Sequence, residues 1–203
     1  MKIIANDVCH IYNQGNNKQI IFFEHDDYIY FLQLVRKTIS PHCRILAYCL
    51  MPNHFHFLIL TTDASAELKR IGNIETTNLA NGFRLLLSTY AQYINKRQRR
   101  SGSVFRQRSK AKSLINGTHN DSAVAFNYIH QNPLRAGLVG KLEDWQYSSY
   151  YDYAGLRNGT ICDKNLAREL IGFNSADFKQ QSSLLVTLDI EKHLLVNERL
   201  ASR

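Results

Sequence analysis

An α+β fold, with an antiparallel sheet carrying helices on one face, is predicted for this 203-residue chain by three patterns. Apolar runs of strand length flank longer segments of helical periodicity. Turn residues mark the joints between them. The order along the chain is strand, helix, strand, strand, helix, strand, with enough apolar residues (44%) to bury a substantial core.

The first strand is expected around Val8 to Tyr12, followed by the turn-rich Asn13 to Asn17 and a short extended piece from Gln19 to Phe23. Asp26 and Asp27 can cap a helix, because Tyr28, Phe31, Leu32, Val35 and Ile39 then recur at helical spacing until Pro41 closes the segment. Arg44 to Met51 and His54 to Thr61 read as two strands joined by Pro52-Asn53, a pair suited to a tight antiparallel connection. A long helix follows from about Asn78 to Lys96, with Leu79, Phe83, Leu86, Leu87, Tyr90 and Ile94 on one face. Phe105 to Leu114 should contain another strand, and Asp121 or Ser122 can cap a helix that runs to Asn132, where Pro133 stops it. This order is the ferredoxin-like arrangement, to which the Asp121 to Asn132 helix is an addition. The aromatic segment around Trp145, Tyr147, Tyr150, Tyr151 and Tyr153 should pack back on this domain, taken as residues 1–155. Residues 156–203 read as a helical C-terminal extension without chemistry of its own.

Lys and Arg exceed Asp and Glu by 25 to 17, giving a formal charge of +8 and a field that attracts polyanions. Cys9, Cys43, Cys49 and Cys162 stand in no metal-finger or CxxC spacing. They read as small, reduced core residues, and with no signal peptide in view a cytoplasmic, nucleoid-associated location is expected. The apolar runs fall well short of a bilayer span, so no membrane role is expected.

Three groups of residues can carry chemistry. In His54-Phe55-His56, strand geometry sends both imidazoles to one face, where they can hold a divalent metal; alone, the pair also fits a turn cap beside a core histidine. Tyr128 and Asn132, four apart, share one face of their helix, and the Asn132 carboxamide oxygen is a suitable hard ligand for Mg²⁺ or Mn²⁺. Taken singly, Tyr128 also fits a core edge and Asn132 a helix end. Gln131 points about 100° away from Asn132 on the helix, which favours Asn132. The stretch from Lys96 to Lys112 is basic without an acidic residue, and Arg97, Arg99, Arg100, Arg106, Arg108, Lys110 and Lys112 can track phosphates while Phe105 stacks a base. The same stretch could equally be a solvated helix end and hairpin.

These residues resemble the single-tyrosine transposases of the HUH endonuclease superfamily, in particular the REP-associated tyrosine transposases of bacteria. The resemblance is carried by Asn13 to Gln19 with Ile21-Phe22, by Leu50-Met51-Pro52-Asn53-His54-Phe55-His56, by Gly102 to Arg108, and by the run from Tyr128 to Val139. It extends in register from about residue 7 to residue 155. It implies that His54, His56 and Asn132 bind Mg²⁺ or Mn²⁺ and that Tyr128 is the nucleophile. The implied reaction cuts and rejoins single-stranded or hairpin DNA through a 5′-phosphotyrosine. Asn16 and Lys18 in the first loop are implied DNA contacts, and Gln14 stands where relatives commonly carry Arg. Relatives of the repeat-associated kind imply a monomer whose tyrosine acts in cis, whereas insertion-sequence transposases of the same superfamily imply a homodimer that exchanges catalytic helices. A domesticated hairpin-binding module that no longer cuts is the alternative reading, and a two-histidine phosphoesterase would need a second His motif that neither His130 nor His193 supplies.

Overall fold

The computed structural model describes residues 1–114 and 119–183, the side chains of His119 and Asn120 excepted. Strand β1 (Val8–Gln14) runs two residues beyond its expected end, because Asn13 and Gln14 still pair with Phe55 and His54. A 3-10 turn at Asn16–Lys18 follows. Residues 19–23 form no strand; instead the Ile21 and Phe22 amides both donate to the Pro52 carbonyl, at 2.8 and 3.0 Å. Helix α1 (His25–Thr38) opens with a capping box between Glu24 and Asp27, so Asp27 serves the third helical position and Glu24 is the cap.

Strands β2 (Cys43–Met51) and β3 (His54–Thr61) form the expected hairpin, with one irregularity between Ile45 and Ala47. The chain then makes a short helix α2 (Asp63–Ala66) and a small hairpin, β4 (Leu68–Ile71) with β5 (Ile74–Thr77), that no sequence pattern announced. Helix α3 (Asn78–Arg97) starts on the Thr77 hydroxyl, which accepts from the Ala80 amide. Gly82 lets it lie against the end of α1, since a Cβ there would collide with the Thr38 carbonyl. Strand β6 (Lys110–Ser113) is shorter than expected, and α4 (His119–Arg135) is longer, with Pro133 inside its last turn. Beyond it come α5 (Tyr150–Tyr153), α6 (Lys164–Ile171) and α7 (Phe178–Ser183); the remainder of the expected helical extension, His193 included, lies outside the described residues.

The main sheet has the order β2-β3-β1-β6 with antiparallel neighbours, the ferredoxin-like topology. Its two faces are set by the alternation of β3. Phe55 and Phe57 point to the face covered by α1 and α3, where they meet Phe31 (5.2 Å between ring centroids) and Phe83 (6.4 Å). Each such buried ring stabilises the fold by roughly 1.5–3 kcal/mol. His54 and His56 point to the other face, where α4 crosses β2 and β3. The added helix therefore covers the face that the two standard helices leave open.

The aromatic segment does pack back: Leu50 donates to the Tyr147 carbonyl at 2.9 Å and Ser149 to the Tyr48 carbonyl at 3.0 Å, which closes the β2 edge. Trp145 adds an indole hydrogen bond to the Leu50 carbonyl at 3.1 Å. All four cysteines are free and buried, and burial raises their thiol pKa values, as suits small core residues. Among the described residues no helix is long and apolar enough to cross a membrane.

Candidate active site

Register decides which side chains share the α4 face. On β1, Gln14 lies opposite His54, Tyr12 opposite His56 and His10 opposite Leu58; on β6, Lys110 and Lys112 continue the rows of Tyr12 and His10. The face thus carries imidazoles at its centre and lysines at its β6 edge.

His54 follows the tight Pro52-Asn53 turn, and its Nδ1 lies 2.6 Å from Asn53 Oδ1. Because an amide oxygen can only accept, Nδ1 carries the proton and Nε2 keeps its lone pair. Burial lowers the His54 pKa to about 4, opposed by a hydrogen bond to Asn132. Asn132 reaches that imidazole from α4, and its Nδ2 donates to the Tyr128 carbonyl at 2.9 Å. His56 is buried, and burial with the nearby His54 and His10 holds its pKa well below the usual value. Its Nδ1 lies 2.9 Å from His10 Nε2, whereas its Nε2 is buried with no hydrogen-bond partner. Both site histidines are therefore neutral, the form that ligates metals.

The Tyr128 ring lies roughly perpendicular to that of His56, with 5.9 Å between centroids, and to that of His10 at 6.1 Å. Arg135, two turns along α4, lies over its ring at 5.9 Å. The tyrosine is 6% exposed. Gln131 is turned away, its Nε2 donating to the Ser182 carbonyl in α7 at 2.9 Å. Four sequence candidates from distant parts of the chain, His54, His56, Tyr128 and Asn132, thus meet on one face. Among the described residues no three His, Cys, Asp or Glu side chains cluster as a metal site.

The expected DNA contacts divide. Asn16 and Lys18 are exposed in the 3-10 turn, and that turn wraps the site's own hairpin: Gly15 donates to the Asn53 carbonyl at 2.8 Å and Asn53 Nδ2 to the Lys18 carbonyl at 3.2 Å. The basic loop joins it there, through Asn16 to Val104 (2.9 Å) and Arg106 to Gln14 (2.9 Å). Arg99, Arg106, Arg108 and Lys110 are exposed, and Lys112 is half-buried beside His10. Phe105 corrects the expectation of a stacking platform: it is 6% exposed and packs on Phe55 and Tyr90, because its apolar ring completes the core under α3. Arg97 is committed to Glu24, Asp27 and Tyr93, and Arg100 to Asn95, so these two serve the fold rather than stand free for phosphate.

Sequence reasoning missed His10. Its signal was the period-2 alternation His10, Tyr12, Gln14, which names a polar face on β1 but cannot say that the face adjoins His56 until the register is known.

No protein-family model matches the sequence. In fold, the chain is similar to a solved REP-associated tyrosine transposase bound to a REP hairpin, with a TM-score of 0.57 at 15% identity, covering 80% of this chain and 92% of that one. In sequence, it is 30% identical over 128 residues to a Haemophilus influenzae protein named as a REP-associated tyrosine transposase, a match that spans 62% of this chain and 70% of the relative. A likeness that long, on a sheet and helix arrangement of the same kind, makes this chain a member of the REP-associated tyrosine transposases.

Proposed function

We propose that this transposase cuts and rejoins hairpin DNA at a single-stranded flank, with Tyr128 as nucleophile and His54, His56 and Asn132 as ligands of Mg²⁺ or Mn²⁺. The observation that carries this reading is the buried, partnerless Nε2 of His56, on a ring whose centroid lies 5.9 Å from that of Tyr128. An unsatisfied polar atom at full burial costs about 1–3 kcal/mol, and a metal ion is a partner that removes that cost. The donor set suits such an ion: a proton on His54 Nδ1 leaves Nε2 bare, and the Asn132 carboxamide beside that imidazole offers a hard oxygen. When bound, a divalent cation supplies positive charge to the nonbridging oxygens of the scissile phosphate.

The protein groups do the rest. Tyr128 attacks phosphorus in line with the departing 3′ oxygen; the phenolic oxygen–phosphorus bond forms, the phosphorus–O3′ bond breaks, and the phenol proton passes to solvent. The products are a 5′-phosphotyrosine and a free 3′-hydroxyl, and attack by a second 3′-hydroxyl reseals the strand without ATP. His56 and Tyr128 belong to the same chain, which supports cleavage in cis by a monomer. Hairpin DNA is chosen as substrate because the structural relative is bound to a REP hairpin. The exposed Asn16, Lys18, Arg99, Arg106, Arg108 and Lys110 are the candidates for gripping it.

The test is a denaturing gel of protein incubated with Mn²⁺ and a hairpin oligonucleotide bearing a single-stranded flank. Wild type should give a covalently shifted band, and Tyr128→Phe should give none while still retarding the hairpin on a native gel. A shifted band from Tyr128→Phe removes Tyr128 from its role. Hairpin binding by wild type with no adduct in Mg²⁺ or Mn²⁺ makes the chain a binding module instead.

A further inference from the structure

We propose that His10 is a positioning residue that fixes the tautomer of His56 and so presents His56 Nε2 to the metal. The inference rests on the metal reading above and concerns a residue outside its ligand set. His10 and His56 are both buried, their rings stack at 5.1 Å with 24° between planes, and a single 2.9 Å contact joins His10 Nε2 to His56 Nδ1.

That contact holds one proton, and its owner decides what His56 can do. If His10 Nε2 donates, neutral His56 has its hydrogen on Nε2, the very atom that should face the cation, and it cannot coordinate. If His56 Nδ1 donates, Nε2 is left with a bare lone pair. Metal-bound histidines are commonly oriented by an acceptor on the second ring nitrogen, a carboxylate or carbonyl in most cases. Here the two ligand histidines solve this differently. His54 uses the Asn53 side-chain oxygen, and His56, in the dry centre of the sheet, uses another imidazole. A neutral acceptor suits that location, because a carboxylate at full burial beside apolar Leu58 would carry a large desolvation cost. The geometry comes from β-register alone: His10 sits diagonally from His56, opposite Leu58, on the neighbouring strand.

Two measurements test this. In metal-free wild type, nitrogen NMR of histidine-labelled protein should find the His56 proton on Nδ1; a proton on Nε2 overturns the proposal. This readout does not depend on any variant folding. In calorimetric titrations with Mn²⁺ alone, His10→Phe keeps a ring but loses the acceptor, and should bind roughly 10–100-fold more weakly, the size of effect expected for an orienting partner. His10→Gln, whose side-chain oxygen can accept the same proton, should recover most of that loss. Wild-type affinity in His10→Phe overturns the proposal provided that His56→Ala weakens binding. If His56→Ala also binds Mn²⁺ like wild type, the metal reading itself has failed, a distinguishable result.

Discussion

Asn132 shows how one side chain joins the two halves of the site. Its Nδ2 tethers to the Tyr128 carbonyl one turn back, and the side chain reaches His54 on the sheet. The helical hydrogen-bond ladder does not depend on that tether, so Asn132→Ala should cost only about 0.5–1.5 kcal/mol of stability. The same variant should sharply reduce Mn²⁺ affinity and the yield of covalent adduct, measured by calorimetry and by denaturing gel. Unchanged Mn²⁺ affinity would remove Asn132 from the ligand set. Removing metal from wild type with EDTA should likewise stop adduct formation and leave hairpin retardation intact; an adduct formed in EDTA would show that the ion is dispensable. These residues were legible because their logic is local. A spacing of two on a strand and a spacing of four on a helix each fix a shared face without knowledge of the fold. His10 depends on how β1 slides along β3, and Phe105 on what lies beneath its loop, and neither is written in a short stretch of sequence.

At the scale of elements, the strongly periodic segments were legible and the weakly patterned ones were not. Strands β2 and β3 and helices α1 and α3 present a buried row of apolar residues, so the period appears directly in the sequence. The β4–β5 hairpin buries none of its residues, and exposed Leu68 and Ile74 give it no alternation to read. Residues 19–23 mimic a strand because Ile21 and Phe22 are buried, but their amides are taken by a single carbonyl, Pro52, and not by a ladder. Pro133 misled in the opposite direction. Within the last turn of α4 its missing N–H forfeits one bond, and the Leu138 amide still closes on the Pro133 carbonyl at 3.0 Å. Gly82 yields a prediction of its own. Glycine in a helix interior costs about 1 kcal/mol relative to alanine, so propensity alone would make Gly82→Ala stabilising. The new Cβ, however, meets the backbone carbonyl of Thr38, which cannot rotate away, and overpacking of that kind costs about 1–3 kcal/mol. Gly82→Ala should therefore lower the urea midpoint, and a raised midpoint would mean that α1 and α3 are free to separate.

For the whole molecule, the excess of positive charge matters through where it is exposed. The formal charge of +8 is spread along the chain, yet the turn at Asn16–Lys18 and the loop containing Arg106 and Arg108 are hydrogen-bonded to each other and to the hairpin that bears His54. Basic segments far apart in sequence are thus tied by backbone hydrogen bonds to one another and to the hairpin that bears His54. Binding of DNA by such a surface releases counterions, and the logarithm of the affinity falls by roughly 0.7 to 0.9 per neutralised phosphate for each tenfold rise in salt. Replacing Arg106 and Arg108 together with alanine should flatten that slope by about two and weaken binding to any hairpin sequence alike. Arg97→Ala makes the contrast. That guanidinium is held by Glu24, Asp27 and Tyr93, so its loss should lower stability and leave the salt slope as it was. Mobility-shift titrations across a salt series read both outcomes. An unchanged slope in the double variant would move the DNA-binding surface elsewhere, and a flattened slope in Arg97→Ala would show that the ion pairs at the end of α3 open when DNA arrives.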